Sequence, residues 1–155
     1  MTNGHTRRFV STYSSSLDAS REACKELNDF WLTVEIDPSL SSQVELCVVE
    51  MVNNAFIHAY QEEEGLPIDL LCEVCSTHPK KLMLNISDYG SCMSQQELDK
   101  KLNNSFIEAD PDDEETWTTS GRGFIIVSSL MDSIALINDG DKNTFVMVKE
   151  LLINP

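Results

Sequence analysis

The stretch ELCVVEMVNNAFIHAY, residues 45–60, restricts this chain more than any other. Read as a helix it is apolar on nearly every side, because Leu46, Val48, Val49, Met51, Val52, Ala55, Phe56 and Ile57 leave little face for water. Such a helix is expected to be buried. Glu50, Asn54 and His58 recur every four residues and therefore share one narrow polar stripe. Burying a carboxylate or a carboxamide without a hydrogen-bond partner costs on the order of 2–7 kcal/mol each. The stripe needs a partner, which is either neighbouring backbone or a bound ligand.

The helix opens at Pro38, with Ser39 or Ser41 near its start, and is expected to run to residues 61–64 and stop at Gly65. Upstream, residues 7–13 alternate as a strand. Residues 17–34 then place Leu17, Cys24, Leu27, Phe30 and Trp31 at helical spacing, with Ser16 or Asp18 as a cap. Downstream the period changes from 3.6 to 2. Residues 67–75 and 81–87 read as antiparallel strands joined by a turn at 76–80. Leu82, Leu84 and Ile86 share a face, and Asp88 continues their parity, which aims a carboxylate at the apolar side. The plainer alternative ends the strand at Ser87 and starts a turn at Asp88.

Residues 94–102 begin like a capping box and predict a short helix. No periodicity follows, and Glu108, Asp110, Asp112, Asp113, Glu114 and Glu115 crowd a stretch at about 103–120 that reads as a lid. Ser120-Gly121-Arg122-Gly123 then opens a helix with Phe124, Val127 and Met131 on one face. A glycine-rich turn at a helix N-terminus suits phosphate, although no GK[ST] follows and it is not a Walker A loop. A hairpin through Asp139-Gly140 closes the chain. The order predicts an α+β fold: a two-layer α/β sandwich, with a mixed, mostly antiparallel sheet and helices on one face, in a single domain over 1–155.

Charge narrows the partners. With 26 acidic residues against 11 basic ones the net charge is −15, which argues against nucleic acid as a partner. A nucleotide would have to arrive with a metal ion or meet a nest of backbone N–H groups, and a basic protein partner is favoured electrostatically. Simple solubility explains the same charge. No run is long enough to span a membrane, no apolar signal segment follows the first residues, and five cysteines suit reduced thiols; the expectation is a cytoplasmic protein. Cys72 and Cys75 form a C-x-x-C, but in a strand this odd offset sends them to opposite faces, so no zinc site is expected.

Together, EMVNNAFIHAY, ISDYG and SGRGFIIVSSLMD resemble the boxes of the histidine-kinase-like (Bergerat-fold) ATPase superfamily, and most of all the bacterial anti-sigma-factor serine/threonine-protein kinases. The resemblance implies a chain that binds ATP or ADP with Mg²⁺. It also implies phosphorylation of a serine on an anti-sigma-factor antagonist, sequestration of a sigma factor and pairing as a homodimer. By residue, it implies Asn54 as a Mg²⁺ ligand and Asp88 as acceptor for the adenine amino group, with Gly90 allowing close approach to the base. It further implies Gly121 and Gly123 around the phosphates, Thr144 near the adenine, and Glu50 orienting or deprotonating the nucleophile. Arg122 either meets phosphate or faces solvent, and His58 is expected to pack behind the site.

Three features depart from the pattern: Cys92 stands for the second glycine of the adenine box, Ser120 for a glycine of the phosphate loop, and the lid is acidic. They motivate an alternative from another class, a non-catalytic module that only holds its partner. A sensor kinase fragment fits poorly, since about 35 residues precede Pro38 and His5 is the sole upstream acceptor. Phe9, Phe30 and Trp31 are expected either in a dimer contact or in the core.

Overall fold

The computed structural model describes residues 6–75, 80–90 and 122–151. Its elements are β1 (Thr6–Ser14), α1 (Ala19–Thr33), α2 (Pro38–Asn54) continued by a π-helical turn (Ala55–Ala59), β2 (Pro67–Cys75), β3 (Lys81–Asp88), α3 (Arg122–Leu130), β4 (Ser133–Asp139) and β5 (Lys142–Glu150). The expected helix at 94–102, the lid and Gly121 lie outside the described residues, as do Cys92 and Ser120. The turn at 76–80 is described only at Lys80.

Alternation builds the sheet. In β2 the residues Ile68, Leu70, Cys72 and Val74 are buried, and in β3 the buried parity is Leu82, Leu84, Ile86 and Asp88. The five strands lie in the order β1-β2-β3-β5-β4. The two-layer α+β architecture is as expected, but the sheet is not mixed, because every neighbouring pair is antiparallel. The reason lies in the connections. α1 and α2 cross the layer twice, so β2 returns beside β1 in the opposite sense, and β4 and β5 form a tight hairpin with Gly140 at φ 63°. Cys72 is buried and Cys75 half-buried, on opposite faces of β2 as the parity requires.

The helices cover one face. α2 packs between α1 and α3 and rests on β3. Leu27, Trp31, Val44, Val48, Met51 and Val52 form the middle of the core between helices and sheet. α2 is capped by Asp37, whose carboxylate accepts from the Ser39 N–H at 2.8 Å and the Ser39 hydroxyl at 2.9 Å, with Pro38 at the first helical position. Those hydrogen bonds hold the Asp37 carboxyl below the usual carboxylate range. α1 starts at Ala19 rather than Leu17, which is 72% exposed, and neither Ser16 nor Asp18 makes a conventional side-chain cap. Phe9 and Phe30 stack at 5.7 Å and pack on the core, whereas Trp31 lies within it.

Helix α2 is less enclosed than its composition predicts. Leu46 is 43% exposed, and the buried positions follow one face through Val44, Cys47, Val48, Met51 and Val52. The helix also ends earlier than Gly65. A π turn, closed by Tyr60 N–H to the Ala55 carbonyl at 2.9 Å, leads into Gln61 and Glu62 at φ 52° and 65°. Left-handed residues cannot continue a right-handed helix. Ser15 then ties down the connection: its hydroxyl donates to the Glu63 carbonyl at 2.7 Å and accepts from the Leu66 N–H at 2.9 Å.

Candidate functional site

The inward parity of β3 ends on a carboxylate. Asp88 is 3% exposed, on the same face as Leu84 and Ile86, so the strand runs one residue past Ser87 and carries the acid into the apolar side. Its register partner on β5 is Asn143, itself 5% exposed. The Asn143 Nδ2 donates to Asp88 Oδ1 at 3.1 Å and to the Gly90 carbonyl at 3.0 Å, and the Gly90 N–H donates to Asp88 Oδ1 at 3.0 Å. Among the described residues, both hydrogen bonds to Asp88 fall on Oδ1. Burial pushes the Asp88 carboxyl above the usual range, and the two donors pull it part of the way back.

Thr144 is elsewhere. Its register partner is Ser87, and the two hydroxyls lie 2.7 Å apart on the outer face of the sheet, opposite Asp88. There it lines a shallow cleft of about 330 Å³ with Asn85, Ser87, Lys142 and Asp69. Thr144 therefore does not share the face of Asp88: strand alternation sends residues 143, 145 and 147 inward and 144 outward. Asn143 occupies the place beside Asp88. The signal was available, since Phe145 and Met147 are the inward residues of the same run.

Gly90 is required by the protein itself. A Cβ there would lie 2.2 Å from the Ala59 carbonyl oxygen and 2.8 Å from the Tyr60 ring, so the turn after β3 presses directly on the π turn after α2. Tyr60 locks the same junction: its hydroxyl donates to the Pro67 carbonyl and accepts from the Tyr89 N–H at 2.9 Å. π turns inside helices recur at functional sites, and this one directly follows Asn54. A cleft of about 300 Å³ abuts this junction, lined by Tyr60, Gln61, Glu63, Pro67, Tyr89 and Gly90. Of the expected site residues it is lined by Gly90, and not by Glu50, Asn54 or Asp88.

On α2, Glu50 and Asn54 are half-buried, and His58 is exposed rather than packed behind the site. The stripe thus flanks the core instead of crossing it, and its desolvation cost is smaller than full burial implies. Next to Asn54, the Asn53 Oδ1 is buried with no hydrogen-bond partner among the described residues. The described part of α3 begins at Arg122, within the glycine-rich turn of the sequence. Phe124, Val127 and Met131 are buried as expected, with Phe124 and Phe145 in ring contact at 5.7 Å. The side chain of Arg122 lies outside the described residues. Among the described residues, no cluster of three or more His, Cys, Asp or Glu could hold a metal on its own, and no helix is long and apolar enough to cross a membrane.

Comparison with known proteins gives the arrangement a setting. The family model described as the histidine kinase-like ATPase domain matches residues 13–149. The anti-sigma F factor of Clostridium acetobutylicum is 29% identical over 118 residues, 75% of each chain. That of Clostridium botulinum strain Eklund 17B is 28% identical over 118 residues, covering 75% of this chain and 76% of its own. Among solved structures, a chain from the crystal structure of the SiaB-SiaC complex of Pseudomonas aeruginosa superimposes with a TM-score of 0.60 at 12% identity, over 89% of this chain and 88% of its own. That likeness is one of fold.

Proposed function

This chain belongs to the histidine kinase-like ATPase domain family, matched over residues 13–149, and on that footing we propose that it is an ATP-binding anti-sigma factor and protein-serine kinase. It would work in the cytoplasm as a homodimer, phosphorylating an anti-sigma-factor antagonist and sequestering a sigma factor. The observation that carries the reading is Asp88: a buried carboxylate at the end of a strand, with Oδ1 held by two N–H donors. A buried acid is costly unless partnered, and the exocyclic amine of adenine is a donor of the right kind for its other oxygen. The relatives named anti-sigma F factor supply the partner class.

The other roles are those the family resemblance implies, and residue chemistry suits them. Asn54 offers a half-buried amide oxygen at the end of α2, a hard ligand suited to Mg²⁺, which supplies charge neutralisation at the phosphates when bound. Backbone N–H groups of the glycine-rich turn, with Gly121, Arg122 and Gly123, would meet phosphate oxygens. Glu50, one turn before Asn54, would accept the proton of the attacking serine hydroxyl as the new P–O bond forms and ADP leaves. Positioning and charge stabilisation carry most of such a transfer, so the half-buried setting of Glu50 suffices for a base.

The test is direct. Wild type with Mg·ATP is incubated with its cognate antagonist and the phosphoserine is measured by mass spectrometry, beside Glu50→Gln. The expected result is stoichiometric transfer by wild type and at least about a hundredfold slower transfer by the variant, with ADP binding intact. If wild type binds ADP yet never phosphorylates the antagonist, the second reading takes over. It is a nucleotide-responsive binding module without catalysis, favoured by the acidic lid and by Cys92.

A further inference from the structure

The position of Asn143 asks for an explanation that strand pairing does not supply. The β3–β5 ladder is continuous from Lys81↔Glu150 to Asp88↔Asn143, and the Ser87–Thr144 hydroxyl pair ties the neighbouring rung on the outer face. The register stands without an asparagine at its end. The other fully buried residues of β5 are Phe145 and Met147, and a carboxamide buried beside them costs free energy unless each polar group is satisfied. Here both contacts of Nδ2 are to acceptors, Asp88 Oδ1 and the Gly90 carbonyl, which fixes the amide orientation with nitrogen toward the turn.

We propose that Asn143 is a positioning residue that sets base selectivity at this site. By holding Asp88 Oδ1 and the Gly90 carbonyl together, it leaves Asp88 Oδ2 as the carboxylate oxygen turned to a ligand. The inference deepens the nucleotide reading above and rests on it. Two donors on one oxygen, from Asn143 and from the Gly90 N–H, prevent the carboxylate from rotating to present either edge. An acceptor fixed in this way rewards a base that places a donor there and penalises one that places an oxo group there. Adenine carries an amine at that position and hypoxanthine carries an oxo group. Sites built to hydrogen-bond one group reject the analogue lacking it far more strongly than apolar pockets reject shape changes. The second bond, to the Gly90 carbonyl, fixes the turn whose Cβ direction is already closed by Ala59.

The experiment measures dissociation constants on the full chain by calorimetry for ADP and for IDP, in which an oxo group replaces the amine and the adjacent ring nitrogen N1 carries a proton. The variants are Asn143→Leu, of similar volume without donors, and Asn143→Ser, which keeps one short donor and guards against a fold defect in the first. The expected result is that wild type prefers ADP by at least about a hundredfold and that both variants lose about tenfold or more of this ratio. A residue that merely supports the fold would weaken both ligands equally, so an unchanged ADP:IDP ratio in a folded variant overturns the proposal, as does tighter ADP binding. Wild type that binds neither nucleotide overturns both this inference and the function it rests on; wild type that binds ADP with no preference over IDP overturns the inference alone.

Discussion

No side chain can be built at Gly90 without meeting Ala59: a Cβ would stand 2.2 Å from its carbonyl oxygen and 2.6 Å from its carbonyl carbon. Both atoms are backbone, so relief requires the π turn or the β3 turn to move. Gly90→Ala is expected to separate them, costing at least about 2 kcal/mol of stability through overpacking. ADP affinity should fall with it, because the Gly90 N–H is one of the two donors on Asp88. Urea unfolding followed by fluorescence reads the first effect and calorimetry the second. A variant of wild-type midpoint would show that the junction is slack.

The Tyr60 hydroxyl serves two backbone groups at that junction, the Pro67 carbonyl and the Tyr89 N–H. Tyr60→Phe keeps the ring and removes both bonds, leaving a partly buried donor and acceptor without partners. The expected loss is about 1–3 kcal/mol, visible as a lower denaturation midpoint with an unchanged slope. An unshifted midpoint would mean that water replaces the hydroxyl at no cost.

Much of this was legible in the sequence, for reasons that also explain what was not. Period two at 67–88 and the parity of Asp88 are local facts, and the strands obey them. Composition does not say which flank of α2 its neighbouring helices cover, so the exposure of Leu46 is not legible in it. The π turn escaped because Ala55, Phe56 and Ala59 suit an α-helical face nearly as well. The family resemblance points to Thr144, whereas the alternation of its own strand turns that residue to the outer face. The physical signal, inward Phe145 and Met147, already pointed to Asn143.

Asn85 sits on the outer face of β3, between Leu71 of β2 and Val146 of β5, and its Oδ1 is buried without a partner among the described residues. An acceptor held away from water with nothing to accept is destabilising, and a β-branched residue suits the rung better. Asn85→Val is expected to raise stability by about 1 kcal/mol, or the melting temperature by about 2–4 °C for a chain of this size. A lowered melting temperature would show that the carboxamide has a role in the folded protein.

Asp88 should cost the free protein stability at neutral pH. Burial raises its folded-state pKa above that of the unfolded chain. Between those two values the native form holds more of the proton, so the favourable, protonated state is present at low pH and is lost as pH rises through the folded value. Above it, the native state carries a buried charge that the unfolded chain exposes to water. Asp88→Asn removes that charge, yet its amide oxygen can still accept from the Gly90 N–H and from Asn143. The variant is therefore expected to be more stable than wild type by about 1 kcal/mol at pH 7.5, with the gain shrinking as pH falls toward the unfolded carboxylate value. It should also bind ADP poorly, since the charged acceptor is gone. Urea titrations of both proteins at several pH values, each with and without ADP, make the comparison. A destabilised Asp88→Asn at neutral pH would mean that the charge itself holds the turn together; a stabilised one that no longer binds ADP marks a residue kept for its ligand at the expense of the fold.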